Sequence, residues 1–393
     1  MGPRFRNLCA GMLVALAALP ASAHAIAGDV FVVDANALGP PGDGAVFRIG
    51  ASGGTATAIA GPSAQFEQPT GLALDSDGTL LLTDYHAAIN ALYRVDSTGG
   101  ISTILSGDPL IQPSDVARDP SGSYVVSKFG SSDAIFRVSR RGEWSTIYAG
   151  APLMAPTSVV VARSGAIYIA DEITSDIYRI GRRSFTPVLF GDSTLIGEPE
   201  DLALSPDERT LYVANGGAGT ILKVDTATRA VSSFAQIPSG SAHGLELLPD
   251  QSLLVSDASN GGRIMSVPAS GSPVTPFSTD AAFEAPHDIV VEPAKCSGKT
   301  ATVVGTNSAD KIRGSASADV ISTLGGKDMV KSFGGKDTIC GGGASDRLFG
   351  GGASDKLLGQ EGRDTLNGGE GRRDVCKGGR SADVGAACEK GKV

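Results

Sequence analysis

The chain alternates short apolar runs with turns rich in Asp, Gly and Pro, and this pattern recurs along most of its length. One stretch, PTGLALDSDGTLLLTDY, begins at Pro69 and returns in altered form further along the chain. The later copies begin at Pro113, Pro156, Pro199, Ala242 and, in truncated form, Pro286. Matched apolar positions lie 43 or 44 residues apart, and a period of that length predicts a solenoid, a propeller or another repeat array.

The content of each repeat favours a propeller. Each repeat holds four short apolar runs, and short runs bounded by Gly, Pro and Asp are typical of β-strands. Four strands in roughly 43 residues correspond to one propeller blade. The segment Gly28–Asn36 matches the second strand of the other repeats, and its missing first strand returns at the far end as HDIVV. We therefore predict an all-β fold with a six-bladed β-propeller over residues 26–293, closed by the N-terminal strand.

Strand pairs such as LYVAN followed by ILKV resemble those of the six-bladed NHL-type propellers. The pattern is also similar to the gluconolactonase and streptogramin-lyase groups, which share that architecture. The resemblance covers residues 28–293 and implies the fold rather than an activity.

We expect a functional site at the start of the innermost strands, because these strands meet at the mouth of the central channel. The residues at this position form a ring of Thr70, Ser114, Thr157, Glu200, His243 and His287. The next residues inward are Gly71, Asp115, Ser158, Asp201, Gly244 and Asp288. Two imidazoles and a carboxylate on adjacent blades are suited to hold a divalent cation, or to act as a base and its partner.

A second polar ring follows the next strand and consists of Asp34, Asp84, Lys128, Asp171, Asn215 and Asp257. We group Asp34 and Asp257 with Glu200, His243 and His287 as the candidate channel-mouth site. The alternative is structural, because Asp, Thr and His at strand starts often bond backbone groups.

The two enzyme groups imply roles for parts of this site. In gluconolactonase-like proteins, acidic or amide residues that match Glu200, His243 and His287 bind the metal, although those proteins carry Asn and Asp where this chain has His. In streptogramin lyases, a His in a PHAI motif, similar to PHDI at 286–289, acts with a carboxylate after the following strand. That carboxylate is Glu in the lyases, where Asp34 or Asp257 stands here.

From residue 294 onward a nine-residue period replaces the longer one. Aspartates recur every nine residues, with one step of ten, at Asp310, Asp319, Asp328, Asp337, Asp346, Asp355, Asp364, Asp374 and Asp383. Glycines precede many of them, and an aliphatic residue follows two positions after most. This pattern resembles the nonapeptide Gly-Gly-x-Gly-x-Asp-x-U-x of RTX (haemolysin-type) calcium-binding proteins.

The resemblance implies a parallel β-roll over residues 294–393, in which aspartates 18 residues apart stack along one edge and bind calcium. Several repeats depart from the pattern, with Ser or Ala in place of the glycine that precedes Asp by two positions. We therefore expect some calcium sites to be weak or empty. The alternative is a metal-free Gly/Asp-rich linker.

Four cysteines remain after the N-terminal segment, and all follow the propeller repeats. Cys296, Cys340, Cys376 and Cys388 predict two disulfides with three possible connectivities. We favour Cys376–Cys388 with Cys296–Cys340, against the alternative of free buried thiols. No Cys-x-x-Cys pair is present, which argues against a zinc site.

The N-terminus and the composition indicate an exported protein. Residues 1–25 resemble a secretory signal, with Arg4 and Arg6 before a short apolar run and cleavage expected after Ala23 or Ala25. The run is too short to span a bilayer comfortably, and no later stretch is apolar enough to do so. A net charge of −9 argues against a general nucleic-acid binder.

These patterns together predict a secreted, extracellular calcium-binding propeller protein without a transmembrane segment. Its primary interpretation is a non-catalytic protein that binds an extracellular small molecule, glycan or protein. The alternative is a metal-dependent hydrolase or lyase acting at the channel mouth, with a second divalent cation there.

Overall fold

The computed structural model describes residues 28–391, except for short gaps at 37–43, 52, 62–66, 87–89, 131–132, 183, 191–193, 239, 260, 307 and 380. Every regular element in this part of the chain is a β-strand. The expected signal segment lies outside the described residues. Within them, no helix is long and apolar enough to cross a membrane.

Six four-stranded antiparallel sheets form the blades of the propeller. Blade 1 contains β4 (Pro69–Leu74), β5 (Leu80–Asp84), β6 (Ala91–Val95) and β7 (Ile101–Ser106). Blade 2 contains β8 (Pro113–Arg118), β9 (Tyr124–Lys128), β10 (Ala134–Val138) and β11 (Trp144–Ala149). Blade 3 contains β12 (Pro156–Val161), β13 (Ile167–Asp171), β14 (Asp176–Gly181) and β15 (Ser184–Leu189).

The remaining blades follow the same order from the channel outward. Blade 4 contains β16 (Pro199–Leu204), β17 (Thr210–Asn215), β18 (Thr220–Asp225) and β19 (Val231–Gln236). Blade 5 contains β20 (Leu245–Leu247), β21 (Leu253–Asp257), β22 (Arg263–Val267) and β23 (Thr275–Ser278). Blade 6 contains β24 (Pro286–Val291), β1 (Val30–Asp34), β2 (Ala45–Ile49) and β3 (Ala56–Ala60).

Blade 6 closes the ring with strands from both ends of the propeller. β24 pairs antiparallel with β1, with Val32 opposite Ile289. The inner strand of each blade contacts that of the next, including β24 of blade 6 against β4 of blade 1. This confirms the predicted six-bladed ring and its closure by the N-terminal strand.

The core of the propeller lies between the blades. Six apolar clusters fill the six blade interfaces. Successive residues of a strand point to opposite faces of its sheet, so each blade contributes to two clusters. Leu82 of blade 1 packs in the cluster shared with blade 6, and Leu81 packs in the one shared with blade 2.

Residues after the propeller form two parallel sheets that wind as a β-roll. One sheet contains β27 (Val303–Val304), β29 (Val320–Ser322), β31 (Thr338–Cys340), β33 (Lys356–Gln360) and β35 (Val375–Gly379). The other contains β28 (Lys311–Arg313), β30 (Met329–Lys331), β32 (Arg347–Gly351), β34 (Thr365–Gly369) and β36 (Val384–Ala386). A short hairpin of β25 (Lys295–Cys296) and β26 (Lys299–Thr300) precedes them.

The roll has the register that the nonapeptide period predicts. Ile321 pairs with Ile339 and Val330 pairs with Leu348, each 18 residues further on. The core consists of two facing rows of buried residues, one from each sheet: Ile321, Ile339, Leu357 and Cys376, and Val330, Leu348 and Leu366.

Both predicted disulfides are present. Cys296–Cys340 ties the entry hairpin to β31, and Cys376–Cys388 ties β35 to the segment after the last strand. The Cα atoms are 5.6 Å and 5.8 Å apart, within the usual range for disulfides. The two bridges thus reinforce a roll whose apolar core is a single cluster between its two sheets.

Candidate functional site

The mouth of the central channel is built from irregular strand starts. In five blades the pairing between the inner strand and its neighbour shifts register within the first residues of the inner strand. A bulge of this kind bends the strand and redirects its side chains. The ring residues therefore face the channel or the adjacent blade instead of continuing the sheet.

Three residues of the ring serve the fold. The hydroxyl of Thr70 donates to Ser114 O at 2.8 Å, and that of Ser114 donates to Pro156 O at 2.6 Å. Thr157 donates in the same way to Pro199 O at 2.8 Å. Each bond crosses to the following blade, so these side chains join blades 1 to 4 at the channel.

The other three ring residues, Glu200, His243 and His287, keep their polar groups available. Nδ1 of His243 is buried without a hydrogen-bond partner among the described residues. No neighbouring side chain or amide in the described chain is bonded to the Glu200 carboxylate or the His287 imidazole. The two imidazole rings lie edge to face, with centroids 5.2 Å apart.

Burial sets the protonation of this group. Burial, together with repulsion from the nearby Glu172 and Glu198 carboxylates, raises the pKa of Glu200 to about 7. Burial lowers the pKa of His243, and it lowers the pKa of His287 to about 4 with help from His243. Near neutral pH both imidazoles are therefore uncharged, and the Glu200 carboxyl group titrates near neutrality.

One residue further inward, aspartates lie on every second blade. Each accepts two backbone amides, one from its own strand and one from the inner strand of the following blade. Asp201 accepts Leu202 N at 2.7 Å and Leu245 N at 2.6 Å. The other two follow the same rule, Asp115 with Val116 and Val159, and Asp288 with Ile289 and Leu72. Three carboxylates thus satisfy the amide at the matched apolar position of all six blades.

The alternate blades carry small residues at this level, namely Gly71, Ser158 and Gly244. A Cβ on Gly71 would lie 2.5 Å from Asp115 Cα, and one on Gly244 would lie 2.7 Å from Asp288 Cα. Ser158 fits by donating its hydroxyl to Asp201 Oδ1 at 2.6 Å. Adjacent inner strands are too close for two full side chains, which explains the alternation of Asp with a small residue.

The three aspartates are held close to protonation. Burial raises the pKa of Asp115 to about 7 and that of Asp201 to about 6. Burial also raises the pKa of Asp288, and repulsion from Asp201 and Asp115 adds to the effect. The floor of the channel mouth therefore favours any positive charge that enters it.

A cavity of about 330 Å³ occupies the mouth, and Tyr85, Phe129 and Glu172 line it together with the ring. The rings of Tyr85 and Phe129 stack with centroids 5.7 Å apart and planes 23° apart. None of these three residues belongs to the two polar rings predicted from the sequence. They stand one position after the second polar ring in successive repeats, so the repeat alignment contains the signal that finds them.

Asp34 and Asp257 of the candidate site do not line this cavity. Asp34 accepts the amides of Glu284 and Ala285 at 2.8 Å and 3.1 Å. Asp257 accepts Ser259 N at 3.1 Å and Arg263 Nε at 3.0 Å. Both side chains hold loops beside the second strand, which is the structural alternative for the second ring.

Among the described residues, no three His, Cys, Asp or Glu side chains are placed to share one metal ion. Glu200, His243 and His287 border the same cavity without converging as a metal-binding triad.

The nonapeptide aspartates form a ladder along the roll. In the seven aspartates from Asp328 to Asp383, Oδ1 accepts the amide of the aspartate one turn earlier, as in Asp310 N to Asp328 Oδ1 at 2.8 Å. The second oxygen is buried without a hydrogen-bond partner in the described chain in six members: Asp328, Asp337, Asp346, Asp355, Asp364 and Asp374. Buried anionic oxygens without a donor fit a hard cation such as calcium.

The glycines of the repeat keep these oxygens close to backbone carbonyls. A Cβ on Gly341 would lie 2.6 Å from Asp346 Oδ2 and 2.9 Å from Gly359 O. Carboxylate and carbonyl oxygens around one small space are the ligands that calcium takes. A calcium ion bound in this way needs few carboxylates, since backbone carbonyls supply the other oxygen ligands.

The first two aspartates differ from the six. Asp310 Oδ2 accepts the amide of Thr306 at 2.6 Å, and Asp319 Oδ2 accepts that of Ser315 at 2.7 Å. The hydroxyls of Thr306 and Ser315 bond the same oxygens. In these two carboxylates Oδ2 already accepts hydrogen bonds from the protein, whereas in the other six it has no donor in the described chain.

Residues 301–330 and 341–375 match the family model of the RTX calcium-binding nonapeptide repeat, in four copies. The C-terminal region carries RTX calcium-binding repeats. We refer to residues 294–391 below as the RTX roll. No curated protein sequence matches the chain.

Solved structures share the propeller fold at low identity. A chain of a nidogen/laminin complex is 15% identical with a TM-score of 0.57, covering 68% of this chain and 100% of its own. A protein of unknown function from Bacteroides caccae is 13% identical with a TM-score of 0.51, covering 67% and 98%. Virginiamycin B lyase from Staphylococcus aureus is 19% identical with a TM-score of 0.46, covering 56% and 73%. At these identities the likeness concerns the fold alone.

Proposed function

We propose that this is an exported, non-catalytic binding protein whose propeller takes a small organic cation with an aromatic or other apolar group. Calcium stabilises its RTX roll. The observation that carries the proposal is the chemistry of the channel cavity. Its lining contains five carboxyl groups, two imidazoles and a stacked aromatic pair, with no Lys or Arg among the described lining residues.

The electrostatics of the cavity favour a positive ligand. Burial raises the pKa values of Glu200, Asp115 and Asp201, and no Lys or Arg among the described lining residues supplies a countercharge. An ammonium group entering the cavity supplies that charge and takes the place of bound protons. The Tyr85–Phe129 pair offers a face for an apolar body or a cation–π contact. A cavity of about 330 Å³ suits a small molecule.

Exposed aliphatic residues extend this surface around the mouth. Ile111, Met154, Ile173 and Leu195 are between 37% and 56% exposed. They lie in loops that precede an inner strand or join the second and third strands, and both kinds of loop lie on the face with the channel mouth. An apolar rim of this kind favours a ligand whose body is apolar.

Export is supported by the disulfides and by the type of repeat in the tail. Disulfides persist in oxidising compartments. Extracellular calcium modules bind in the range of roughly 10⁻⁴–10⁻³ M, and such binding couples to folding. We propose that the propeller and the RTX roll are separate domains divided near residues 293 and 294, and that residues 1–25 direct export.

A binding role accounts for the channel mouth better than metal-dependent hydrolysis or elimination. The alternative enzyme needs Glu200, His243 and His287 to hold a divalent cation, and the described side chains offer no such triad. The same three groups suit hydrogen bonds to an organic ligand, because two are neutral imidazoles and one is a carboxyl group that titrates near neutrality.

Calorimetry on the full-length mature protein tests the cavity, with tyramine as the probe because it joins an aromatic ring to an ammonium group. We expect Glu200→Gln and Phe129→Ala each to weaken binding about tenfold. The matched control is Glu143→Gln. Glu143 is exposed and lies in the turn between β10 and β11, outside the cavity lining. Equal binding of 4-hydroxyphenylacetate, which carries the opposite charge, would contradict the proposal.

Catalysis is tested in the same preparation with a panel of lactones. Turnover that disappears in the His243→Ala, His287→Ala double variant would replace the binding interpretation by the enzymatic one. The calcium role is tested by circular dichroism in a chelator and at about 1 mM calcium. We expect calcium to increase the β-sheet signal and the melting temperature of the RTX roll, and identical spectra and melting curves would refute this role.

A further inference from the structure

A second cavity, of about 520 Å³, lies between blades 2 and 3. Its polar lining includes Asp119, Arg163 and Arg182, which lie in the turns that follow β8, β12 and β14. Inner strands begin at the channel mouth, so these turns lie at the opposite end of the propeller. The cavity is therefore separate from the channel-mouth site.

The equivalent seam between blades 1 and 2 is filled. Asp75 accepts the hydroxyl of Tyr124 at 2.7 Å and Nη2 of Arg140 at 2.5 Å, both from blade 2. Arg94 of blade 1 approaches the same carboxylate at 3.4 Å. Tyr124 and Arg140 thus occupy the space between the blades and bring the charges of Asp75, Arg94 and Arg140 together.

The seam between blades 2 and 3 lacks these closing contacts. Asp119 takes the place of Asp75, but Ile167 stands where Tyr124 does at the start of the second strand. Arg182 corresponds to Arg140 and lines the cavity with no hydrogen bond to Asp119. The loss of one phenol and one ion pair leaves a cavity where the neighbouring seam is packed.

The charge of this cavity is positive. Asp119 is paired with Arg137 at 2.8 Å, whereas Arg163 and Arg182 form no ion pair with a carboxylate in the described chain. The carboxylate of Glu208 accepts the backbone amide of Arg163 rather than its guanidinium. Two uncompensated guanidinium groups in one concave site stand out in a chain with a net charge of −9.

We propose that this cavity binds an organic anion, whose carboxylate, sulfate or phosphate group is held by Arg163 and Arg182. Guanidinium groups match such anions with paired hydrogen bonds. Arg137 and Asp119 form the fixed wall of the site, and the hydroxyl of Ser164 borders it. The side chains of Ile147, Ile167 and Ile180 line the remainder and receive the apolar part of the ligand.

Calorimetry on the full-length protein with phenyl phosphate, benzoate and inorganic sulfate tests this site. We expect the two organic anions to bind more tightly than sulfate, and all binding to weaken with salt. Arg182→Gln should weaken phenyl phosphate binding about tenfold, while Arg141→Gln, an exposed arginine outside the cavity, should leave it unchanged.

Ile167→Tyr provides a second variant that copies the filled seam. The new phenol should occupy the cavity and abolish phenyl phosphate binding without lowering the melting temperature. Undetectable binding of all three probes, equal binding by the Arg182→Gln variant, or equal losses in Arg182→Gln and Arg141→Gln would each overturn the proposal. Sulfate binding as tight as phenyl phosphate would reject an organic ligand. Glu200→Gln should not affect this site, which separates its outcome from that of the channel mouth.

Discussion

At the scale of single residues, the channel mouth shows how a repeat shares its polar groups. A bulge at the start of an inner strand leaves a backbone amide without a sheet partner, and a buried amide needs an acceptor. A carboxylate has two oxygens, and Asp201 uses one for Leu202 and the other for Leu245 in the next blade. Three aspartates therefore serve six blades, and the intervening blades keep Gly or Ser.

Replacement of one aspartate by asparagine tests this sharing. In Asp201→Asn, one amide of the pair Leu202 and Leu245 meets an NH₂ group instead of an oxygen. We expect the free energy of unfolding of the propeller to fall by about 1–3 kcal/mol, the cost of an unsatisfied buried polar group. Urea unfolding at fixed calcium measures it, with exposed Glu143→Gln as control. A loss no larger than that of the control would show that the shared bonds contribute little.

The buried carboxyl group of Glu246 should make the stability of the propeller depend on pH. It lies in β20, and its Oε1 accepts Val291 N at 3.2 Å. Burial raises its pKa from 4.5 to about 8, and Asp201 adds repulsion. Below the unfolded value the group is protonated in both states and has no effect. As pH rises from there to about 8, only the unfolded chain loses the proton, so the wild-type protein loses stability.

Glu246→Gln removes this titration and keeps the acceptor for Val291. We expect the variant to match the wild type near pH 4.5 and to exceed its free energy of unfolding by about 1–3 kcal/mol near pH 8. Urea unfolding at several pH values, at constant calcium, checks it. A difference between the two proteins that does not change with pH would contradict the assignment.

At the scale of elements, most of the correct predictions from the sequence came from the spacing of its repeats. It placed the strands, the closure by β1 and the stacking of aspartates 18 residues apart, because each follows from a local period. It also contained Tyr85 and Phe129, one position past the second polar ring. It could not reveal that Thr70 bonds the next blade while Glu200 does not, because that depends on distances between blades.

The cavity between blades 2 and 3 could not be predicted from the sequence either, because it also depends on distances between blades. Ile167 and Tyr124 occupy the same register and both are apolar enough for a strand start. Only the structure shows that the Tyr124 hydroxyl reaches Asp75 in the adjacent blade. Contacts between repeats depend on how whole sheets pack against one another. The sequence pattern predicts only the strands within each repeat.

The nonapeptide turns predict a stabilising change. The residue two positions before Asp, position four of the motif, adopts a left-handed backbone in several repeats, with φ of 74° at Ala353, 70° at Ala344 and 117° at Gly362. This conformation costs a residue with a Cβ on the order of 1 kcal/mol more than glycine. We expect Ala353→Gly to raise the stability of the RTX roll in calcium by about 0.5–1 kcal/mol.

The control for this change is Ala318→Gly, in an exposed turn of the same roll without a positive φ. There glycine only adds freedom to the unfolded chain, so we expect no gain or a small loss of stability. Melting of the roll at saturating calcium, followed by circular dichroism, compares the two variants. Equal shifts in both would show that backbone strain at Ala353 is not relieved by glycine.

At the scale of the whole molecule, the two regions are stabilised by different means. The propeller buries six apolar clusters between blades, and closure leaves no inner strand unpaired. The RTX roll buries only two facing rows of apolar residues and adds two disulfides and a ladder of carboxylates. The propeller therefore should fold without calcium, whereas the roll depends on the ion that neutralises its ladder.

Ring closure gives the sharpest test of this division. β1 lies between β24 and β2, and its Val30 and Val32 belong to the apolar cluster shared with blade 5. Deletion of residues 28–36 removes the middle of blade 6, leaves β24 unpaired and takes away the Asp34 bonds to the loop before it. We expect this variant to lose cooperative unfolding and to aggregate through the exposed edges. Truncation after residue 293 keeps every strand of the ring and should preserve the propeller transition. If the two shortened proteins unfold at the same urea concentration as the full chain, closure by the N-terminal strand is not what holds the ring together.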